Sequence, residues 1–80
     1  MPGLPVVSGK DLVKVLSGLG YHLVRQKGSH AQLKCVTPAG EHTITIPLHS
    51  EIAPGTLNDI LSRVALWNGM SKDELIRMLK

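Results

Sequence analysis

Two stretches of strict alternation on either side of a four-residue turn constrain this chain more than any other feature. In His30–Val36, His30, Gln32 and Lys34 alternate with Ala31, Leu33 and Cys35. In His42–Ile46, Thr43 and Thr45 alternate with Ile44 and Ile46. A period of two is the pleat of a β-strand with one wet face and one dry face. Between the two runs, Thr37-Pro38-Ala39-Gly40 has type I turn chemistry, with Pro second and Gly fourth. Pro47 ends the second run or confines it to a sheet edge. A sheet with one apolar face needs cover, so the remaining segments must supply it.

Their spacing predicts helices. Ser8 and Asp11 form a capping-box-like pair, and Leu12, Val15, Leu16 and Leu19 repeat at i, i+3, i+4, i+7. Gly20 suits a left-handed stop, which predicts a helix over about 9–19. Tyr21–Gln26 reads as a first strand, ended by the break Lys27-Gly28-Ser29. After a loop at 48–53, Pro54 starts a second helix whose stripe is Leu57, Ile60, Leu61 and Val64, and Asn68-Gly69 stops it. Ser71 and Glu74 make a capping box for a short last helix, with Met70 placed to staple onto Leu75. The expected fold is therefore α+β. It is a two-layer α-β-β-β-α arrangement, a three-stranded antiparallel sheet with helices on one face and a short C-terminal helix. One domain is expected over residues 1–80, with an ordered core at about 8–79.

Composition narrows the function classes. Eighty residues hold one small core, which argues against multi-domain enzymes and deep enclosed cavities. Tyr21 and Trp67 are the only large rings and Phe is absent, so aliphatic side chains must build that core. A single cysteine, Cys35, excludes an internal disulfide framework and a four-thiolate zinc site. No apolar run approaches the ~20 residues that span a bilayer, and the leading MPGLPVV has no basic n-region, so a cytoplasmic protein with no membrane association is expected. Residues 1–40 carry five basic side chains against one acidic, whereas 41–80 carry four against five. A basic half suits a polyanion such as nucleic acid, or is simply a Lys-rich solvated surface.

The four histidines differ in prospect. His22 shares a face with Val24, and His42 with Ile44 and Ile46. Both read as near-core or sheet-end residues held by a hydrogen bond. His30 begins its strand on the polar face with Gln32 and Lys34, directly after Gly28-Ser29 and downstream of Arg25 and Lys27. An imidazole there can take and give a proton near neutral pH. Gly28 would admit a bound group close to the backbone, and Ser29 can donate to a phosphate oxygen. The plain alternative is a surface histidine beside a tight turn. His49, in the polar loop before the second helix, is a second proton-transfer group, a hydrogen-bonding brace or an exposed loop residue. Zinc finds little support, because no C-x-x-C or helical H-x-x-x-H occurs. Cys35 faces away from His30 on the same strand and reads as a small buried residue.

Several segments together resemble the HicA (YcfA-like) toxin family. They are Ser8-Gly9-Lys10-Asp11-Leu12, Leu19-Gly20-Tyr21, Gln26-Lys27-Gly28-Ser29-His30, Ile46-Pro47-Leu48-His49 and Pro54-Gly55-Thr56-Leu57 leading to Ile60-Leu61. The resemblance runs from about residue 8 to about residue 79. Where family members often carry an aromatic or bulky residue soon after the histidine, this chain has Ala31-Gln32-Leu33, and its Trp67-Asn68-Gly69 junction is less typical. The resemblance implies a fold similar to the double-stranded-RNA-binding domain. It also implies metal-independent mRNA cleavage, without cofactor, by the toxin of a type II toxin–antitoxin pair. A HicB-type antitoxin would bind such a toxin as a hetero-oligomer and mask its site. The catalytic histidine of the Gly-Ser-His motif is here His30.

The mechanism expected on that basis has His30 deprotonate an RNA 2′-hydroxyl, with Lys27, Lys34 and Arg25 balancing charge at the phosphorus. The general acid is left open between His49, a water and another group. Two other classes remain: a non-catalytic double-stranded-RNA-binding module, and a protein-interaction module of the same fold.

Overall fold

A computed structural model of the protein describes residues 4–79, so Met1–Gly3 and Lys80, which the expected domain span includes, lie outside the described residues. The element order is α1 (Gly9–Gly18), β1 (His22–Lys27), β2 (His30–Thr37), β3 (Gly40–Pro47), α2 (Pro54–Asn68) and α3 (Lys72–Met78). The three strands form one antiparallel sheet in the order β1-β2-β3. The chain is thus α+β, in the layered order that the periodicity predicts.

The helix ends form as their residues require. Ser8 caps α1 through a capping box with Asp11, and Ser71 caps α3 with Glu74 in the same way. At the other end of α1, Tyr21 N–H donates to Leu16 O and Gly20 N–H to Ser17 O, a Schellman stop that needs the positive φ of Gly20. Gly69, left-handed at φ 62°, ends α2. The turn between β2 and β3 is closed by the Thr37 hydroxyl, which donates to Gly40 O at 2.7 Å and accepts from Ala39 N–H at 3.2 Å.

The alternating residues sort as their period demands. Ala31, Leu33 and Cys35 of β2 and His42, Ile44 and Ile46 of β3 are buried beneath the helices. They meet Leu12 and Leu16 of α1, Leu57, Leu61 and Val64 of α2, and Leu75 of α3. A fully buried leucine or isoleucine is worth about 1.5–3 kcal/mol over an exposed one, so this aliphatic cluster is what holds the two layers together.

β1 departs from simple alternation. Every residue of it is exposed. The pairing runs His22 with Lys34, Leu23 with Leu33, then Arg25 with Gln32, so Val24 is the extra residue of a β-bulge. Of the two places expected for His22, near the core or at the sheet end, it takes the second, and among the described residues its ring makes no hydrogen bond, which corrects the expected brace. His22 is exposed at the sheet end, because the bulge turns it onto the outer face with Arg25 and Lys27.

Candidate active site

Lys27 and His30 face each other across the two-residue loop Gly28-Ser29. Gly28 has φ +58°, and no described non-glycine residue has a positive φ. A positive first and negative second central residue is the II′ pattern, whose twist suits a hairpin. A Cβ on Gly28 would meet nothing within 4 Å, so backbone conformation, not steric room, requires the glycine.

The hairpin register and the bulge beyond it then decide what accompanies His30. Residues directly opposite in an antiparallel sheet share a face, so the surface away from the helices carries His22, Arg25 and Lys27 of β1 beside Lys34, Gln32 and His30 of β2. Thr43 and Thr45 of β3 continue it. Two ion pairs occur among the described residues, Lys34 Nζ–Glu41 Oε1 at 3.1 Å and Arg63–Asp59. Lys34 is thus paired with Glu41, while Arg25 and Lys27 have no acidic partner there. The run Ala31-Gln32-Leu33 has a plain structural account: Ala31 and Leu33 belong to the core, and only Gln32 faces outward, opposite Arg25.

His49 reaches the same place through the backbone. Leu48 N–H donates to Ser29 O at 2.6 Å, tying the loop after β3 to the hairpin loop before β2. Gly9 N–H donates to His49 O at 2.9 Å, which ties that loop to the start of α1. Gly9 permits this contact because it has no side chain: a Cβ there would lie against Pro47 O and 2.7 Å from Leu48 Cα. As a result His30 and His49 line one cleft of about 370 Å³, with Thr45, Thr56, Pro47 and Ile52. That volume is in the range of small-ligand sites. Ala53 offers no side-chain cap to α2, so the first-turn amides beside Thr56 keep free N–H groups at the cleft margin.

The other two histidines lie elsewhere. His42 pairs with Cys35 on the inner face, remote from the His30–Pro47 end of the sheet. Its Nδ1 is hydrogen-bonded to the Tyr21 hydroxyl at 2.7 Å, and its ring stacks on Trp67 at 4.9 Å with 8° between planes. Asn68 Nδ2 donates to Tyr21 Oη at 3.0 Å and to Val64 O at 2.8 Å. The expectation of a buried histidine held by a hydrogen bond is met here. Burial, with the positive charge of Arg63 adding to it, holds His42 below the ordinary histidine range. Burial also raises the Tyr21 phenol above its ordinary range, against the hydrogen bond from Asn68 and with Cys35 adding to the rise.

Thr45 and Thr56 are the polar cleft residues that spacing did not single out for the site, beside Pro47, Ile52 and Ala53. Their signals were modest: Thr45 is the outward member of an alternation, and Thr56 falls in the first turn of a helix. Cys35 is buried and is not part of the cleft. Among the described residues there is no group of three or more His, Cys, Asp or Glu that could hold a metal ion, and no helix is long and apolar enough to cross a membrane. Neither a curated protein nor a solved structure gives a match to the chain. Residues 9–66, which include His30, His49 and the first thirteen residues of α2, match the family model for the HicA toxin of bacterial toxin–antitoxin systems.

Proposed function

Because the chain belongs to the HicA toxin family, we propose that it is an endoribonuclease, the mRNA-cleaving toxin of a type II toxin–antitoxin pair, with His30 as its general base. The observation that carries this reading is the placement of His30 on a solvent-facing sheet surface, opposite the unpaired Lys27, at the mouth of a cleft. RNA brings its own nucleophile, so a small open site needs few groups. His30 takes the 2′-hydroxyl proton, the 2′-oxygen attacks phosphorus, and a 2′,3′-cyclic phosphate and a 5′-hydroxyl result. Lys27 and Arg25 offset the charge that grows on the phosphoryl oxygens. Lys34 is the weaker candidate for that role, since Glu41 shares its charge. The Ser29 hydroxyl is a donor available to a phosphate.

The same reading takes residues 8–79 as one domain acting in the cytoplasm. Its natural inhibitor is a HicB-type antitoxin that covers the basic sheet face in a hetero-oligomer. The test is cleavage of RNA in EDTA by the wild type and by His30→Ala. Loss of the base is expected to slow cleavage by about 10²–10⁴-fold, and wild-type products should end in cyclic phosphate. If both proteins bind RNA and neither cuts it, the chain is a binding module. Growth arrest on induction, relieved by co-expression of the neighbouring antitoxin gene, tests the pairing.

A further inference from the structure

We propose that His49 is the general acid of the RNA cleavage proposed above, on which this assignment rests. It donates its proton to the 5′-oxygen as the P–O5′ bond breaks.

A base and an acid acting on one phosphodiester must flank the phosphorus. Each must come within about 2.6–3.2 Å of its own oxygen. His30 and His49 are the two titratable side chains that line the cleft, the first from the start of β2 and the second from the loop after β3. The His49 ring also makes no hydrogen bond among the described residues. Its carbonyl, not its imidazole, holds the Gly9 amide. Among the described residues the only imidazole with a protein hydrogen bond is that of His42. The other histidines and the tyrosine fall away by position. His42 and Tyr21 bond to each other in the core, and His22 stands opposite Lys34, away from the cleft. The Arg25 guanidinium holds its protons too firmly to donate one.

The step balances without a co-reactant. His30 gains the 2′-hydroxyl proton, the 2′-O–P bond forms, and the P–O5′ bond breaks. The electron pair of that bond leaves on the 5′-oxygen, which takes the proton from the His49 imidazolium. The protein ends with His30 protonated and His49 neutral, and exchange with solvent restores both.

The decisive substrate is an oligoribonucleotide with one 5′-bridging oxygen replaced by sulfur, because a thiolate leaves without being protonated. His49→Gln is expected to cut the all-oxygen RNA about 10²–10³-fold more slowly, yet to cleave the sulfur-bridged substrate at a rate close to wild type. His30→Ala should be slow on both. Unchanged thermal melting of His49→Gln would exclude a folding defect. Equal slowing of His49→Gln on both substrates, or no slowing on either, overturns the assignment and leaves the endoribonuclease reading intact. Failure of the wild type to cleave either substrate overturns both.

Discussion

Gly9 is the residue on which the geometry of the cleft turns. Its amide holds His49 O, and the space its missing Cβ would take is filled by backbone atoms of Pro47 and Leu48. Backbone cannot swing aside as a flexible side chain can. Gly9→Ala is therefore expected to destabilise by about 1–3 kcal/mol, lowering Tm by about 4–8 °C for each kcal/mol. Gly18→Ala is the control, since a methyl there meets nothing within 4 Å and should leave stability equal or higher. Thermal melts of the two variants decide it. The sequence marks Gly9 only as a helix-start residue, because the atoms it must accommodate come from the far end of β3. His30, by contrast, was legible: its position after a glycine turn and at the head of an alternating run already put it on the wet face.

Among the elements, α2 does more than cover the sheet. Its last turn brings Trp67 and Asn68 onto His42 and Tyr21, so both large aromatic side chains of the protein meet one buried imidazole. Asn68 donates to the Tyr21 oxygen, which leaves the Tyr21 hydroxyl proton free to point at Nδ1 of His42. Burial and, after it, the positive charge of Arg63 disfavour the protonated ring. The folded-state affinity of His42 for a proton is thus below that of the unfolded chain. As pH falls past the unfolded value of about 6.5, the unfolded state binds protons first. Stability is expected to be full above that pH and to decline below it, by at most about 1.4 kcal/mol per pH unit for one proton. Tyr21 acts at the opposite end, with stability lost as pH rises through the ordinary phenol range near 10. Urea titrations between pH 5 and 8 should show the acid-side slope in the wild type and a smaller one in His42→Gln. Equal slopes would place the acid sensitivity elsewhere. Periodicity marks His42 as buried but cannot name its partners, because Tyr21, Trp67 and Asn68 reach it only once α2 lies across the sheet.

Across the whole molecule, three of the five basic residues of the first forty, Arg25, Lys27 and Lys34, share the outer sheet face, while Lys10 and Lys14 lie on α1. The hairpin register places Arg25 and Lys27 outward beside His30, the bulge at Val24 adds His22 to that face, and the helices occupy the other face. Phosphate contacts made by unpaired cations release counterions, whereas a cation already held by a carboxylate releases fewer. Arg25→Ala and Lys27→Ala are each expected to reduce the slope of log affinity for RNA against log salt by about 1. Lys34→Ala should change it less, because Glu41 is its partner. Filter binding across a salt series measures all three, and a Lys34 effect equal to the others would overturn this ranking.

Local order was legible because its causes are local. A helical stripe, a capping box or a strand alternation is set by residues two to four positions apart, and α1, β2, β3, α2 and α3 lie where such spacings place them. The bulge, the Lys34–Glu41 pair and the Tyr21–His42–Trp67–Asn68 cluster depend on which strands and helices become neighbours, so no window of sequence contains them. The meeting of His30 and His49 is of the same kind. It rests on the bonds from Leu48 to Ser29 and from Gly9 to His49, which form only when the hairpin, the loop after β3 and the start of α1 have packed together.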